Sequence, residues 1–295
     1  MTQVQFKGTA VAITTPFTNS QVDYETFERH VNFLIDNDIQ AIFVNGTTGE
    51  GSTLAEEEKL KLVEIAVRIS NQRVPIIVGT GTNNTQASID HSLKVKSLGA
   101  DGIMLITPYY NKTNQRGLIE HFTTIANAVE LPVVLYNVPS RTNMTIEPET
   151  VEVLAQNPYI YALKDATHDL DYTANIKSII PDDFMLYSGN DDIVVPFYKA
   201  GGDGVISVIA NAIPKEFQEV YTTFNNDPAL ATEKFNTIAP LLNALEVDIN
   251  PIPIKALVTH IGYANGEVRL PLVPLLVEEQ QHISDVYDNF RSQVI

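Results

Sequence analysis

The chain has 295 residues, of which 44% are apolar, enough for one large α/β domain or two medium ones. With 36 acidic and 19 basic residues its formal net charge is -17, and so acidic a surface repels nucleic-acid phosphates and anionic lipids. The absence of cysteine excludes disulfides and thiolate metal sites.

The N-terminal sequence MTQVQFKGTAVAITT lacks the basic and apolar regions of a secretory signal. No apolar run approaches the length of about 18 residues that a transmembrane helix needs. We therefore expect a cytoplasmic protein with no nucleic-acid or membrane partner.

Eight short runs rich in β-branched residues predict strands. They cover residues 8–17, 41–46, 75–81, 102–110, 132–139, 159–166, 184–190 and 204–211. Between them apolar residues recur with helical spacing, as in Leu118, Phe122 and Ile125. Alternating strands and helices indicate a parallel sheet, and eight units close most simply into a (β/α)8 TIM barrel. An open doubly wound sheet is the alternative, but it would place a phosphate-binding loop after the first strand, where TTPFTNSQVD offers none.

The strand pattern stops after an eighth helical stretch at residues 214–226. Three further helical patterns follow, at residues 229–245, 251–262 and 271–290. We expect a catalytic barrel over residues 1–226 and a helical segment over residues 227–295 that packs on it.

Lys164 stands near the end of the predicted strand YIYALKD, where TIM barrels carry their active sites. Strand alternation predicts that it shares a face with Ala162 and Ile160. Many lysines at strand ends simply extend their ammonium group to water. If Lys164 is instead buried, burial lowers the pKa of its amine. At its ordinary pKa about 1 amine in 2,500 is neutral at pH 7, so a pKa lowered by about 3 units gives a usable nucleophile. Schiff-base formation with a carbonyl substrate is the chemistry that such a lysine favours.

Other strand ends supply hydroxyl, phenol and guanidinium groups. GTTGE at 46–50 has two glycines whose tolerance of positive φ would let backbone N–H groups form an anion site, although a hydroxyl-capped turn is equally compatible. Tyr136 is either a core side chain or a proton carrier. Arg141 is either part of a surface ion pair or a carboxylate ligand. Tyr109 and Tyr110 are adjacent, so one of them points outward to a helix or another subunit. The six histidines lack metal-binding spacing, and we expect no zinc site.

Five separated motifs occur in the order that characterises the dihydrodipicolinate synthase family of pyruvate-dependent class I aldolases. They are GTTGE, PYYN, YNVPSRT, LKDAT and GVISV. The chain resembles this family over essentially its whole length, including the C-terminal helices. The resemblance implies a lyase that needs no cofactor. It would condense pyruvate, as an imine on Lys164, with L-aspartate-4-semialdehyde to give 4-hydroxy-tetrahydrodipicolinate in lysine and diaminopimelate biosynthesis.

The resemblance also implies a proton relay around Lys164. Tyr136 matches the general acid and base, and Thr47 matches its hydroxyl neighbour. Tyr110 matches the third member, which an adjoining subunit donates, so the functional unit would be at least a homodimer.

Three further residues match substrate contacts of the family. Thr48 corresponds to the ligand of the pyruvate carboxylate, Ile206 to a backbone contact, and Arg141 to the residue that binds the second substrate's carboxylate. Two other function classes stay open. A sugar-acid aldolase such as N-acetylneuraminate lyase would share the lysine and tyrosine but lack the arginine. In a non-catalytic barrel, Lys164 would stay protonated and unreactive.

Two departures from the family pattern bear on structure and regulation. Asn143 stands where members commonly have glycine, and asparagine is the next best residue for a left-handed backbone. Lysine-inhibited members tend to carry histidines in the helix after GTTGE and a glutamate in the helix after the third strand, where Glu56, Lys59 and Ala87 stand here. We expect feeble or absent inhibition by lysine, because Lys59 would repel the effector and Ala87 cannot pair with its amine.

Overall fold

The computed structural model describes residues 4–294 and contains a closed barrel of eight parallel strands. The barrel strands are β1 (Gly8–Ala12), β4 (Ala41–Val44), β5 (Ile76–Gly79), β6 (Gly102–Ile106), β7 (Val133–Asn137), β8 (Ile160–Asp165), β9 (Met185–Ser188) and β10 (Gly204–Ser207), while β2 (Phe17–Thr18) and β3 (Gln21–Val22) form a separate hairpin. β1 pairs with β10 through Ala10 and Ile206, and this pairing closes the sheet. The predicted TIM barrel is confirmed.

Helices follow the barrel strands. Those of the barrel are α1 (Tyr24–Asp36), α2 (Glu56–Ser70), α3 (Thr85–Ser97), α4 (Gln115–Val129), α5 (Pro139–Thr142), α6 (Pro148–Leu154), α7 (Leu170–Ile179), α8 (Val194–Lys199) and α9 (Pro214–Phe224). Short polar residues start several of them: the side chain of Asp23 accepts from the backbone N–H of Thr26, and that of Asn84 from Ala87. These caps satisfy donors that the first helical turn leaves free.

The apolar core has two layers, as strand alternation requires. One lies between the strands and the helices and includes Val11, Ile42 and Leu163. The other fills the barrel interior and includes Phe43 and Tyr136.

One prediction about the sixth barrel strand is wrong. Val133 pairs with Ile160 but Val134 pairs with Ala162, so Tyr161 is an extra residue that forms a bulge. Ile160 therefore belongs to the outer layer, whereas Ala162 lies in the interior. Lys164 shares its face with Ala162 and not with Ile160.

Up to residue 294, three α-helices follow the barrel: α10 (Pro228–Ala244), α11 (Ile252–His260) and α12 (Val277–Val294). The domain boundary expected after residue 226 falls between α9 and α10, which pack against each other. The last helix starts at Val277, later than the predicted 271, and the strands expected over 8–17 and 102–110 end at Ala12 and Ile106. Within residues 4–294, no helix has both the length and the apolar character needed to cross a membrane.

Candidate active site

Lys164 and Tyr136 lie side by side in the barrel interior. Both occupy the last but one position of their strands, β8 and β7, and the two residues are register partners. Lys164 is 6% exposed and Tyr136 is 7% exposed. The Nζ of Lys164 lies 4.3 Å from the centre of the Tyr136 ring. The predicted burial of the amine beside the phenol is confirmed.

This environment changes the ionisation of both groups. Burial lowers the pKa of Lys164 to about 8; the nearby Asp191 carboxylate opposes this effect and Arg141 adds to it. At pH 7 about one amine in ten is then neutral, far more than for a hydrated lysine. Burial raises the pKa of Tyr136, against opposing effects of Arg141 and a hydrogen bond with Thr47, so the phenol keeps its proton at neutral pH.

The GTTGE segment at 46–50 forms a tight turn after β4, but not through the glycines that we expected to carry positive φ. The left-handed residues are Asn45, with φ 61°, and Glu50, with φ 53°. Gly49 serves close packing instead, because an added Cβ would lie 3.0 Å from the carbonyl oxygen of Ile13. Thr48, within this turn, is buried, with 3% of its surface exposed.

A cavity of about 300 Å³ opens beside these groups. Thr47, from the GTTGE motif, lines it together with Tyr136 and Arg141, both from the YNVPSRT motif. Lys164 is not among the lining residues, but its Nζ lies over the ring of Tyr136, which is one of them. The lining also includes Lys59, His91 and Tyr109. A small anionic molecule in this cavity would meet a hydroxyl, a phenol and a guanidinium within one chain.

Besides Lys164, three of the predicted site residues are not among those that line this cavity: Thr48, Tyr110 and Ile206. Tyr110 is 94% exposed, with φ 69°, so on its own chain its side chain lies in solvent and not in the buried Lys164 site. Ile206 is fully buried in β10, in the same interior layer as Tyr136. Asn143 adopts the left-handed conformation expected of it, with φ 50°, and ends α5.

Asp191 is a half-buried residue near Lys164 to which the sequence pattern assigned no role. Its Oδ2 accepts from the backbone N–H groups of Val208, at 2.9 Å, and Ile209, at 2.8 Å. Its Oδ1 is buried without a hydrogen-bond partner among the described residues. Burial raises the pKa of Asp191 to about 6. The two backbone hydrogen bonds, a hydrogen bond with Ser207 and the positive charge of Lys164 act in the opposite direction and lower this pKa. Its position in YSGND, directly after the seventh predicted strand, was the available signal.

Asn250 lines the cavity, and Lys255 bonds to Glu50, which also lines it; neither Asn250 nor Lys255 was predicted. They belong to the segment after the barrel, where no motif distinguishes them from other helix-flanking residues. In the part of the chain that the structure describes, no group of three or more histidine or acidic side chains is arranged to hold a metal ion.

In comparisons with known proteins the chain is similar to enzymes of one family. Residues 5–289 match the model of the dihydrodipicolinate synthetase family. A relative from Macrococcus caseolyticus, a 4-hydroxy-tetrahydrodipicolinate synthase, is 66% identical over 285 residues, covering 97% of this chain and 96% of its own. A synthase of the same name from Staphylococcus haemolyticus is 60% identical over 288 residues, covering 97% and 98%. The crystal structure of dihydrodipicolinate synthase from Thermotoga maritima superposes with a TM-score of 0.95 at 38% identity, over 97% of this chain and 99% of that one.

Proposed function

The chain belongs to the dihydrodipicolinate synthetase family, and from that premise we propose that it condenses pyruvate with L-aspartate-4-semialdehyde through a Schiff base on Lys164. It is a lyase, with the activity of a 4-hydroxy-tetrahydrodipicolinate synthase in lysine and diaminopimelate biosynthesis. The observation that carries the site assignment is the buried Lys164 amine, with its pKa near 8, 4.3 Å from the Tyr136 ring.

The reaction begins when the neutral amine of Lys164 attacks the ketone of pyruvate and water leaves. The imine then loses a methyl proton and becomes an enamine, whose carbon forms a bond to the aldehyde carbon of L-aspartate-4-semialdehyde. The amine of this second substrate attacks the imine carbon, closes the ring and releases Lys164. The protonated phenol of Tyr136 supplies and recovers protons at these steps.

A phenol with a raised pKa needs neighbours that share its proton, and Thr47 is one such neighbour. Tyr110 is proposed as the other, entering the site of an adjoining subunit, because its side chain is 94% exposed on its own chain. The functional unit is therefore proposed to be at least a homodimer. A cytoplasmic location is proposed as well, consistent with biosynthetic substrates and a chain free of cysteine.

The substrate carboxylates are assigned to two groups at the mouth. Thr48 binds the carboxylate of pyruvate, with a backbone contact from Ile206, and Arg141 binds that of the semialdehyde. A guanidinium can hold a carboxylate with two parallel hydrogen bonds. The relatives support this activity rather than the sugar-acid lyase alternative.

Borohydride reduction in the presence of pyruvate tests the assignment of Lys164. We expect a covalent mass increase on Lys164, and its absence would leave a non-catalytic barrel as the better account.

A coupled assay with Arg141→Ala then tests the acceptor. The KM for aspartate semialdehyde should rise far more than the KM for pyruvate, because the guanidinium contacts only the second substrate. Equal losses for both substrates would indicate a different acceptor.

A further inference from the structure

Asn250 contacts both of the side chains assigned to substrate carboxylates. Its Nδ2 donates to the Oγ1 of Thr48 at 3.1 Å, and its backbone carbonyl accepts from Nη2 of Arg141 at 3.0 Å. Asn250 lies between the barrel and α11, about 200 residues from Thr48 in sequence. The segment after the barrel thus reaches directly into the mouth.

The direction of the first hydrogen bond has a chemical consequence. Because Thr48 Oγ1 accepts from Asn250, the hydroxyl hydrogen of Thr48 is free to donate elsewhere. No described group of the chain accepts it, and Thr48 is 3% exposed. A substrate carboxylate is the acceptor that such a buried donor favours.

The segment that contains Thr48 is also fixed at its far end. Glu50 accepts from Lys255 Nζ through Oε1 at 2.5 Å and from the backbone N–H of Arg269 through Oε2 at 2.9 Å. The side chains of Glu50 and Lys255 are each 1% exposed. This buried ion pair holds Glu50 in a left-handed conformation, φ 53°, that glycine usually adopts. Thr48 is therefore set in place before substrate arrives, and Asn250 sets the direction of its hydroxyl.

We propose that Asn250 is a positioning residue: its amide directs the Thr48 hydroxyl toward the pyruvate carboxylate while its carbonyl orients Arg141. This inference rests on the proposed function, because it takes Thr48 and Arg141 as the carboxylate ligands. It predicts unequal effects on the two substrates, since a side-chain substitution removes the amide but keeps the backbone carbonyl.

The test compares Asn250→Ala and Asn250→Asp with a matched control, Asn265→Ala. Asn265 belongs to the same segment and makes the same kind of bond, from Nδ2 to Thr18 Oγ1 at 2.9 Å, away from the cavity. Asn250→Ala should raise the KM for pyruvate about fivefold, as expected for one lost hydrogen bond. Asn250→Asp should raise it about tenfold further, because a carboxylate takes the Thr48 hydrogen and repels the pyruvate anion. The KM for aspartate semialdehyde should change less than about twofold.

The outcomes separate positioning from general support of the fold. If both Asn250 variants match Asn265→Ala, or if kcat falls while the pyruvate KM is unchanged, the proposal is overturned. If Asn250→Ala loses thermal stability, the KM of Asn250→Asp for pyruvate decides between the two explanations, since aspartate keeps the shape of the side chain. Borohydride trapping of the unsubstituted enzyme is measured alongside. If the unsubstituted enzyme is not trapped, the proposed function itself is wrong. If it is trapped but the Asn250 variants keep the unsubstituted KM for pyruvate, only the role of Asn250 is wrong.

Discussion

Burial of Lys164 is both a cost to folding and the source of the reactivity that we propose for it. Its pKa falls from 10.5 in the unfolded chain to about 8 in the fold, so the folded state disfavours the bound proton. The destabilisation is fully present below pH 8, diminishes as the pH rises, and is absent above about 10.5. A shift of this size corresponds to about 3 kcal/mol. The nearby Asp191 carboxylate already offsets part of the desolvation penalty.

The same pKa predicts how Schiff-base formation depends on pH. Only the neutral amine attacks, so the initial rate of covalent trapping with limiting pyruvate and cyanoborohydride should rise about tenfold from pH 6 to pH 7 and level off above about pH 8. Mass spectrometry of quenched samples measures it. A rate that is flat from pH 6, or one that still climbs steeply at pH 9.5, would contradict the pKa near 8.

Single residues differed in how well the sequence predicted them. The face that Lys164 shares with Ala162 followed from strand alternation, and the conformation of Asn143 from its tolerance of positive φ, because these are local properties of the chain. For Tyr136 the residues alone left two interpretations open, and the family resemblance favoured the proton carrier. The left-handed conformations at Asn45 and Glu50 could not be predicted. They depend on contacts such as the Lys255 ion pair, which joins residues 205 positions apart.

At the scale of elements, the alternation of strands and helices predicted the barrel, because the spacing of apolar residues differs between strands and helices and is visible in the sequence. The bulge at Tyr161 and the late start of α12 at Val277 were missed. A bulge arises from the pairing of two strands, which the sequence of one strand does not contain. The residues from Pro271 to Leu276 are as apolar as a buried helix face, but the helix itself begins only after them, at Val277.

Helices α2 and α3 form part of the cavity wall, and their side chains determine whether free lysine is expected to inhibit the enzyme. Lys59 on α2 is half-buried and lines the cavity with His91 of α3, and burial lowers the pKa of Lys59. Glu56 is bonded to Lys94 at 2.5 Å, so its carboxylate is already paired. A second ammonium group within about 4 Å of Lys59 is repelled by about 1 kcal/mol in water and by more in a half-buried wall.

We therefore expect L-lysine at about 1 mM to slow the coupled assay by less than about a tenth, given this repulsion. Lys59→Gln serves as the comparison, because it removes the cation and keeps a side chain of similar length. It should bind lysine more tightly than the unsubstituted enzyme in calorimetry. Half-inhibition of the unsubstituted enzyme by sub-millimolar lysine would show that Lys59 does not exclude it.

At the scale of the whole molecule, one chain holds Lys164, Tyr136 and Thr47 together but presents Tyr110 to solvent. A symmetric dimer would let each chain complete the site of the other, since both subunits present the same surface. The proposed relay then depends on association, whereas Lys164 and Tyr136 must come from the same chain because they are register partners.

Mixed oligomers test this division between chains. Lys164→Ala and Tyr110→Phe chains, co-expressed with different tags and purified through both, should form dimers in which one of two sites has every group. Each variant alone should lose about a hundredfold or more in kcat, but the mixed dimer should recover about half of the unsubstituted activity. The matched control pairs Lys164→Ala with Tyr136→Phe. No exchange of subunits restores a complete site there, because both substitutions fall on groups that one chain must supply. Equal recovery in the two mixtures, or none in either, would mean that Tyr110 does not act across subunits.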